Sequence, residues 1–336
     1  MSEARRPLAL GLIGCGRIAL AHLKAAANLP GEVRVVAVAG RRRDRAEAVA
    51  RDFQIPAVHD DYRRLLDDPQ VQAVVITTPN ESHAQIACEA AAAGKHILVE
   101  KPMALDSRSA ETMVQAAERA GIQLMVAQCR RFADAVETML RRLPEIGQVF
   151  RAHLVFCVSF PQPPTDWWRS DKQAGGLVIL LQGSHSLDSV CWWLGAIPER
   201  VFATASRRNP AWEGEDEADI LCNFADGAVA SVHLSLSTHP PVNEALLIGT
   251  KGQFRLIVHP APGTFESVYR LEMNGQLLME GLQSPSIYTR QLQEFAAALR
   301  EGRSPLASGR EIARLQRVLD AARASVQTGQ PVAVVR

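Results

Sequence analysis

The chain has 336 residues, enough for two domains, and its 37 Lys and Arg residues nearly balance its 36 Asp and Glu residues, for a formal net charge of +1. This balance provides no bulk attraction for nucleic acid or for an anionic membrane, so neither is predicted as a partner. The six cysteines are scattered without a C-x-x-C pair. We therefore expect reduced thiols, no metal site, no membrane span and a cytoplasmic protein.

The first predicted element is a buried strand over Leu8–Ile13, followed by the sequence GCGRIA at residues 14–19 and then by a helix. A G-x-G-x-x-A turn between a strand and a helix is typical of dinucleotide binding, because the glycines let the pyrophosphate approach the backbone. The helix N-terminus also favours negative charge. The predicted cofactor contacts are Gly14, Gly16, Arg17 and Ile18. The alternative is an ordinary strand-to-helix turn.

The residues after the second predicted strand, Val33–Ala39, indicate which dinucleotide binds. Chains that prefer NAD usually carry Asp or Glu at the end of this strand, whereas here Gly40 is followed by three arginines. Guanidinium groups bind a 2′-phosphate through charge-assisted hydrogen bonds. The sequence therefore favours NADP over NAD, with Arg41 and Arg42 as contacts. The alternative is a solvated basic first turn of the helix at residues 44–52.

A polar loop, TTPNESH at residues 77–83, follows the strand predicted at residues 71–76. In doubly wound sheets, ligands bind beyond the carboxyl ends of the strands, and this loop lies at such an end. The predicted cofactor contacts in the loop are Thr78, Pro79, Asn80 and His83.

The next predicted strand ends in the sequence Glu100-Lys101-Pro102. Its carboxyl end adjoins the same crevice as the glycine turn, and Pro102 restricts the backbone directly after the lysine. We therefore expect Lys101 to be a functional residue. The alternative is a solvated lysine at the rim of the sheet.

The sequence pattern changes near residue 128, where we place a domain boundary. A helix over Ser107–Ala120 and a strand at residues 122–126 complete a domain at residues 1–127, and residues 128–336 form a second α/β domain. Apolar and polar side chains alternate at residues 149–160 and 228–237, as in an antiparallel sheet with one buried face. The closing helices predicted at residues 288–300 and 309–328 are candidates for packing against the first domain.

A second group of chemically capable residues lies on the helix predicted at residues 184–194. An apolar stripe along one side of this helix places His185 and Asp188 on the opposite side, with the carboxylate one turn from the imidazole. Histidine is suited to exchange a hydroxyl proton while hydride leaves carbon. The alternative is a histidine that only hydrogen-bonds within the domain.

These motifs together resemble the Gfo/Idh/MocA oxidoreductases, a family that includes glucose–fructose oxidoreductase and inositol dehydrogenases. The resemblance rests on LGLIGCGRIALAHLKA, VVITTPNESHA, GKHILVEKPMAL, WRSD, GGLVILLQGSHSLD and IGTKGQF. It implies an α/β fold: a Rossmann domain with a doubly wound parallel sheet, then a domain with a large open, mainly antiparallel sheet. It also implies hydride transfer between NAD(P) and a carbohydrate or polyol, and homo-oligomers, dimers or tetramers, formed through the second sheet.

The resemblance also implies roles for particular side chains. Lys101 is implied to touch both the nicotinamide ribose and the substrate, beside a Lys–Pro bond that is often cis in the family. His185 falls on the catalytic histidine. The remaining expected cofactor contacts are Glu100, Trp168 and Arg169, and the remaining expected substrate contacts are Arg130, Asp166 and Asp188.

One departure from the family pattern concerns the residues before His185. Many members carry G-G-G-x-x-x-D-x-x-x-H, whereas here Leu177 replaces the third glycine and Leu181 the aspartate. The predicted catalytic residues are therefore Lys101 and His185 alone. We predict an NAD(P)-dependent oxidoreductase that acts on a secondary alcohol or carbonyl of a sugar or polyol. The alternatives are a nucleotide-binding regulator without turnover and a redox-neutral glycoside-processing enzyme with tightly bound cofactor.

Overall fold

A computed structural model describes residues 6–261 and 264–335. The chain divides into two compact units. The first contains the chain up to Ala104, then Arg108–Cys129 and Pro285–Ile312, and the second contains Leu105–Ser107, Arg130–Ser284 and the chain from Ala313 onward. No helix among the described residues is both long and apolar enough to cross a bilayer.

The secondary structure alternates between strands and helices at first and is richer in strands later. The strands are β1 Leu8–Ile13, β2 Val33–Ala39, β3 Ala57–His59, β4 Ala73–Ile76, β5 His96–Val99, β6 Leu124–Val126, β7 Val149–Ser159, β8 Arg200–Ser206, β9 Glu217–Asn223, β10 Val229–Ser235, β11 Ser237–Gly249, β12 Gly252–Pro260, β13 Ser267–Met273, β14 Gln276–Leu282 and β15 Val332–Ala333. The helices are α1 Ala19–Ala27, α2 Arg43–Asp52, α3 Tyr62–Leu66, α4 His83–Ala92, α5 Ser107–Ala120, α6 Asp134–Arg142, α7 Asp166–Arg169, α8 Asp171–Ala174, α9 Val178–Leu181, α10 Gly183–Leu194, α11 Ile287–Glu301 and α12 Gly309–Thr328.

The first unit contains a parallel sheet of six strands in the order β3-β2-β1-β4-β5-β6. Its central strands are short apolar runs that are buried along most of their length, as expected of a sheet covered on both faces. The strand order changes direction between β1 and β4, and this switch point opens a crevice at their carboxyl ends. The Rossmann-type sheet predicted from the sequence is confirmed.

Helix α11 closes the first unit by packing against α1. Ser286 caps the helix by accepting a hydrogen bond from the Thr289 backbone N–H at 3.1 Å. At the other end, Arg300 donates to the Glu32 carboxylate at 2.8 Å. One of the two closing helices is therefore part of the first unit.

The second unit contains a sheet of nine strands in the order β14-β13-β12-β11-β7-β10-β9-β8-β15. Every adjacent pair is antiparallel except β7 and β10, which run parallel. The alternation along β10 is as predicted, since Ala230, Val232 and Leu234 are buried. The predicted large, mainly antiparallel sheet is confirmed.

Helix α10 is buried on the side of its apolar stripe, as predicted, and also on the opposite side. All residues from Gly183 to Cys191 are buried, and these include the polar His185 and Asp188. The helix is therefore packed on both sides, so its polar residues require partners inside the unit.

Candidate cofactor and active-site residues

The glycine turn after β1 has the backbone that a dinucleotide site requires. Gly14 has a φ of 103°, and a Cβ added to it would lie 2.8 Å from the Thr77 carbonyl carbon. The Thr77 hydroxyl donates to the Gly14 carbonyl oxygen at 2.8 Å. Only glycine fits at residue 14, because both the conformation and the close approach of the segment after β4 exclude a side chain.

The second glycine of the turn faces open space. A Cβ added to Gly16 would have no atom of the chain within 4 Å. Helix α1 starts just after it, and its N-cap residue, Ile18, provides no side-chain hydrogen bond to the first turn. The turn therefore leaves room and helical N–H groups for a pyrophosphate, which is the fit expected for a dinucleotide.

The end of β2 carries no acidic side chain of its own. Gly40 is followed by Arg41, which is exposed, and by Arg42, which donates to Asp44 at 2.9 Å. This ion pair is mostly solvent-exposed, at 63% for Arg42 and 67% for Asp44. Arg42 holds the pKa of the Asp44 carboxyl below its usual range. Such exposed pairs contribute little stability, so Arg42 can exchange its partner for a phosphate at small cost.

His83 lies differently from the cofactor contact that the sequence predicted. Its ring is fully buried, with Nδ1 2.9 Å from the Pro102 carbonyl oxygen and Nε2 2.9 Å from the Thr78 carbonyl oxygen. Burial lowers the pKa of the imidazole. A neutral ring carries one N–H, so it donates to one of these two carbonyls at a time. His83 thus joins the loop after β4 to the segment after β5, and its ring is not open to a ligand.

The rest of the loop after β4 is tightly ordered by its own side chains. The Ser82 hydroxyl lies 2.7 Å from the Pro79 carbonyl oxygen and 2.8 Å from the Thr78 hydroxyl. Asn80 is buried, at 3% exposure, in the short 3-10 turn Asn80–Ser82. The loop therefore presents a fixed backbone at the crevice.

The backbone of the segment Glu100-Lys101-Pro102 is fixed both before and after the lysine. The Glu100 carboxylate accepts from His22 Nε2 at 2.8 Å and from the Lys101 backbone N–H at 3.2 Å. The Lys101–Pro102 peptide is cis, as the resemblance implied. Lys101 itself is partly exposed. Its backbone is therefore fixed by buried groups while its side chain reaches the surface of the unit.

In the second unit, Asp188 pairs with an arginine and His185 packs against an aromatic ring. Asp188 forms a bidentate ion pair with Arg131, at 2.6 and 2.9 Å, and both side chains are 3% exposed. His185 packs edge-on against the Phe156 ring at 6.3 Å. The sequence predicted Asp188 as a substrate contact and as the carboxylate beside the imidazole. In the structure both Asp188 oxygens accept hydrogen bonds from Arg131, and contact with a substrate stays a prediction.

Arg130 lies over the Phe156 ring, with 3.8 Å from its guanidinium carbon to the ring centroid. Both residues line a shallow cleft in the second unit, together with Ser186 and Asn243. The cleft combines an aromatic face with polar side chains, a composition typical of sites for small polar ligands.

The other predicted residues of the second unit lie on the short helix α7. Asp166 and Arg169 are exposed, whereas Trp168 is partly buried and packs edge-on against Phe160, with ring centroids 5.5 Å apart. Trp168 also lies 6.3 Å from Trp212. Asp166 and Arg169 are thus accessible, while Trp168 anchors the segment.

The leucines that depart from the family pattern are core residues here. Leu181 is 2% exposed on α9, and Leu177 is fully buried. A carboxylate does lie beside this leucine segment, because the Glu215 side chain accepts hydrogen bonds from the Leu177 and Ile179 backbone N–H groups at 3.0 and 3.1 Å. Burial raises the pKa of Glu215. Its carboxylate caps α9.

Three residues with structural roles in the site were missed by the sequence analysis: His22, Arg131 and Glu215. The available signal for His22 was a histidine inside a helix that is apolar apart from Lys24. Arg131 and Glu215 gave no such signal, because an arginine or a glutamate is usually solvated. Among the described residues, no group of three or more His, Cys, Asp or Glu could hold a metal ion.

Comparison with known families agrees with this geometry. Residues 8–128 match the model of the oxidoreductase family with an NAD-binding Rossmann fold, and residues 140–255 match the Gfo/Idh/MocA C-terminal domain. The chain is an oxidoreductase with an NAD-binding domain. It belongs to the Gfo/Idh/MocA family.

Individual relatives cover most or nearly all of the chain. Trans-1,2-dihydrobenzene-1,2-diol dehydrogenase of Mus musculus is 33% identical over 252 residues, which are 73% of each chain. D-xylose 1-dehydrogenase (NADP(+)) 2 of Haloferax volcanii is 28% identical over 326 residues, which are 96% of this chain and 98% of that one.

The fold is also found among solved structures. Aldose-aldose oxidoreductase from Caulobacter crescentus, complexed with glycerol, superposes with a TM-score of 0.88 at 24% identity, covering 98% of this chain and all of the other. At this level of identity the similarity establishes the fold.

Proposed function

We propose that this oxidoreductase prefers NADP and transfers hydride between the nicotinamide and a secondary alcohol or carbonyl of a sugar or polyol. The observation that carries the proposal is the pairing of the glycine turn with Gly40 and two exposed arginines, Arg41 and Arg42. A chain built for the 2′-hydroxyl of NAD would carry a carboxylate at that strand end. The alternative cofactor is NAD.

The residues of the first unit provide the binding part of this function. Gly14 and Gly16 shape the turn for the pyrophosphate, and Arg41 and Arg42 are positioned after β2 to bind the 2′-phosphate. When bound, the nicotinamide supplies the hydride acceptor or donor. The fixed loop after β4 and the Glu100–Lys101 segment then hold the ligand in one orientation, which contributes a large part of the rate.

Lys101 and His185 are the proposed proton-handling groups. Lys101 Nζ donates a hydrogen bond to the substrate oxygen that changes between hydroxyl and carbonyl. The His185 imidazole takes or returns the hydroxyl proton. Asp188 contributes to this chemistry by holding Arg131 beside α10, and Leu181 takes no part.

The proposed substrate class is supported by the cleft and by one relative. The Arg130 guanidinium and the polar groups beside Phe156 suit a molecule with several hydroxyls, which can pack its C–H face on the ring and bond its oxygens to the polar groups. The Haloferax volcanii relative is named for D-xylose and NADP(+).

Two further features are part of the proposal. We propose a homo-oligomer formed through the second sheet, supported by Leu221, a large apolar side chain on β9 that is 39% exposed. We also propose a cytoplasmic enzyme, since all six cysteines are free thiols. Light scattering of the purified protein measures the oligomeric state, and a monomer would contradict the first of these.

The function is tested by following nicotinamide absorbance with NAD and NADP, oxidised and reduced, across a panel of sugars, polyols and their keto forms. We expect turnover with NADP. Lys101→Met is expected to lower kcat about 100-fold or more with little change in cofactor Kd, whereas the control Lys251→Met, at an exposed turn, retains wild-type rates.

Other outcomes of this experiment identify the alternatives. Cofactor binding without turnover of any substrate would favour a nucleotide-binding regulator, which the loss of the aspartate at Leu181 suggests. Glycoside conversion with tightly bound cofactor and no net redox change would favour the redox-neutral enzyme. An unchanged kcat in Lys101→Met would contradict the catalytic assignment.

A further inference from the structure

The residue between the two glycines of the turn, Cys15, is in contact with the end of β2. A Cβ added to Gly40 would lie 2.9 Å from Cys15 Sγ and 3.6 Å from both the Cys15 and the Ala46 Cβ atoms. Real Cβ atoms essentially never come as close to another atom as 2.9 Å. The thiol therefore fills the space in which a side chain at residue 40 would begin.

The contact with the Cys15 side chain, and not backbone conformation, opposes a side chain at residue 40. Gly40 is not among the residues with positive φ, so its backbone conformation does not require glycine. The parallel register of β1 and β2 pairs Ile13 with Ala39, which places residue 40 beside the glycine turn. The Gly14 backbone N–H donates to the Ala39 carbonyl at 2.8 Å and fixes this approach.

The thiol is held in its position by the same carbonyl. Cys15 Sγ lies 3.7 Å from the Ala39 carbonyl oxygen, within the range of a weak S–H hydrogen bond. Burial raises the pKa of Cys15 to about 11, so the thiol keeps its proton at neutral pH. Cys15 thus acts by its volume and is not an ionised nucleophile.

We propose that Cys15 and Gly40 form one coupled determinant of cofactor specificity. The Cys15 thiol excludes a carboxylate side chain from the end of β2, so the 2′-phosphate of NADP binds to Arg41 and Arg42. This inference rests on the proposed preference for NADP. It adds that the preference depends on a residue of the glycine turn, which lies outside the arginine segment. It predicts that an acidic residue at position 40 confers NAD binding only after Cys15 has been made smaller.

The contact itself is tested without any cofactor, by the melting temperatures of the wild type, Cys15→Ala, Gly40→Ala and the double variant. Gly40→Ala should lower the Tm by about 2–6 °C beside Cys15, because it overpacks the contact. In the Cys15→Ala background, Gly40→Ala should change the Tm little. Cys15→Ser nearly keeps the volume of the side chain and is the matched control. In this background Gly40→Ala should lower the Tm as it does beside Cys15. Equal effects of Gly40→Ala in the wild-type and Cys15→Ala backgrounds would overturn the proposal.

The consequence for specificity is tested by the Kd values of NAD and NADP, measured from tryptophan fluorescence. In Cys15→Ala/Gly40→Asp, the preference should shift toward NAD by about 10- to 100-fold, as expected for gained carboxylate bonds and added repulsion of the phosphate. Gly40→Asp alone should shift it by less than about threefold, because the carboxylate is displaced from its position. Cys15→Ala/Gly40→Asn separates size from charge and should show a smaller shift than the Asp variant.

The outcomes for the two proposals can be distinguished. A wild-type preference for NAD would contradict the proposed function, whatever the melting temperatures show. An equal shift in Gly40→Asp with and without Cys15→Ala would overturn the coupling while leaving the NADP preference intact.

Discussion

The Nε2 atom of His22 lies 2.8 Å from Oε1 of Glu100, and both side chains are almost completely buried, at 2% and 8% exposure. One residue belongs to the helix after the glycine turn, and the other directly precedes Lys101. The ring of His22 also packs edge-on against Tyr288 of α11, at 5.8 Å between centroids. Because Glu100 also accepts the Lys101 N–H, this pair connects the nucleotide helix to the backbone of the proposed catalytic lysine.

The first prediction concerns this pair. His22→Leu removes the donor and leaves a buried carboxylate with one partner fewer, so the free energy of unfolding should fall by about 1.5–3 kcal/mol in urea denaturation. The double variant His22→Leu/Glu100→Gln should lose less than the sum of the two single variants, because they share the interaction. Additive losses would show that the hydrogen bond contributes nothing of its own.

The second prediction separates the two glycines of the turn. Gly14→Ala should lower the free energy of unfolding by at least about 2 kcal/mol, because its φ is positive and its Cβ would meet the Thr77 carbonyl. Gly16→Ala should leave the stability within about 0.5 kcal/mol of the wild type, since its Cβ meets nothing in the chain.

The same pair of variants tests the ligand. Gly16→Ala should weaken dinucleotide binding about tenfold or more, measured by calorimetry, because the new methyl group would occupy the space of the pyrophosphate. Wild-type affinity in a stable Gly16→Ala protein would place the cofactor elsewhere.

The third prediction concerns the dependence of stability on pH. Burial depresses the pKa of His83 below its usual value, so the unfolded chain binds a proton near pH 6.5 while the folded chain does not. The stability contributed by the neutral ring is therefore complete above pH 6.5 and is lost as the pH falls below it. The wild type should lose roughly 1 kcal/mol more than His83→Gln between about pH 7.5 and pH 5.5.

Chemical denaturation at a series of pH values measures this difference. His96, whose pKa is also lowered by burial, is present in both proteins and cancels. Parallel pH profiles for the two proteins would be inconsistent with a neutral, buried His83.

The fourth prediction concerns the ion pair between Arg131 and Asp188. Asp188→Leu leaves a buried guanidinium without its carboxylate and should cost about 3–5 kcal/mol of unfolding free energy. Arg131→Met/Asp188→Leu removes both charges and should recover most of this loss. Urea denaturation of the three proteins provides the comparison. If the double variant is less stable than Asp188→Leu, the pair is not the source of the effect.

The extent to which the sequence predicted the structure depends on the range of the interactions. The strand over Val33–Ala39 and the helix over Ser107–Ala120 were predicted with their observed bounds, because burial of a strand and amphipathicity of a helix are local patterns. The short strand β3 and the helices α7 to α9 were missed. Segments of three to five residues carry too few positions to establish a period.

Site residues were predicted where the local backbone dictates the residue type. They were missed where the interacting residues are far apart in the sequence. The glycine turn and the Lys101–Pro102 segment are recognisable from local sequence. The partner of Asp188 was not, because Arg131 is 57 residues away in the chain. The loop histidine His83 was recognised as important, but nothing local showed that carbonyls from two segments would enclose its ring.

The parallel pairing of β7 with β10 has a consequence for how the chain folds. Strand β7 separates two antiparallel meanders, β8 to β10 on one side and β11 to β14 on the other, and it precedes both in the chain. A nascent chain that ends before Val229 therefore has a complete β7 with neither of its neighbours. Both edges of this long strand then expose unpaired N–H and C=O groups, a template for association between chains. During synthesis, the central strand of the finished sheet therefore needs protection from other chains until β10 and β11 have been made.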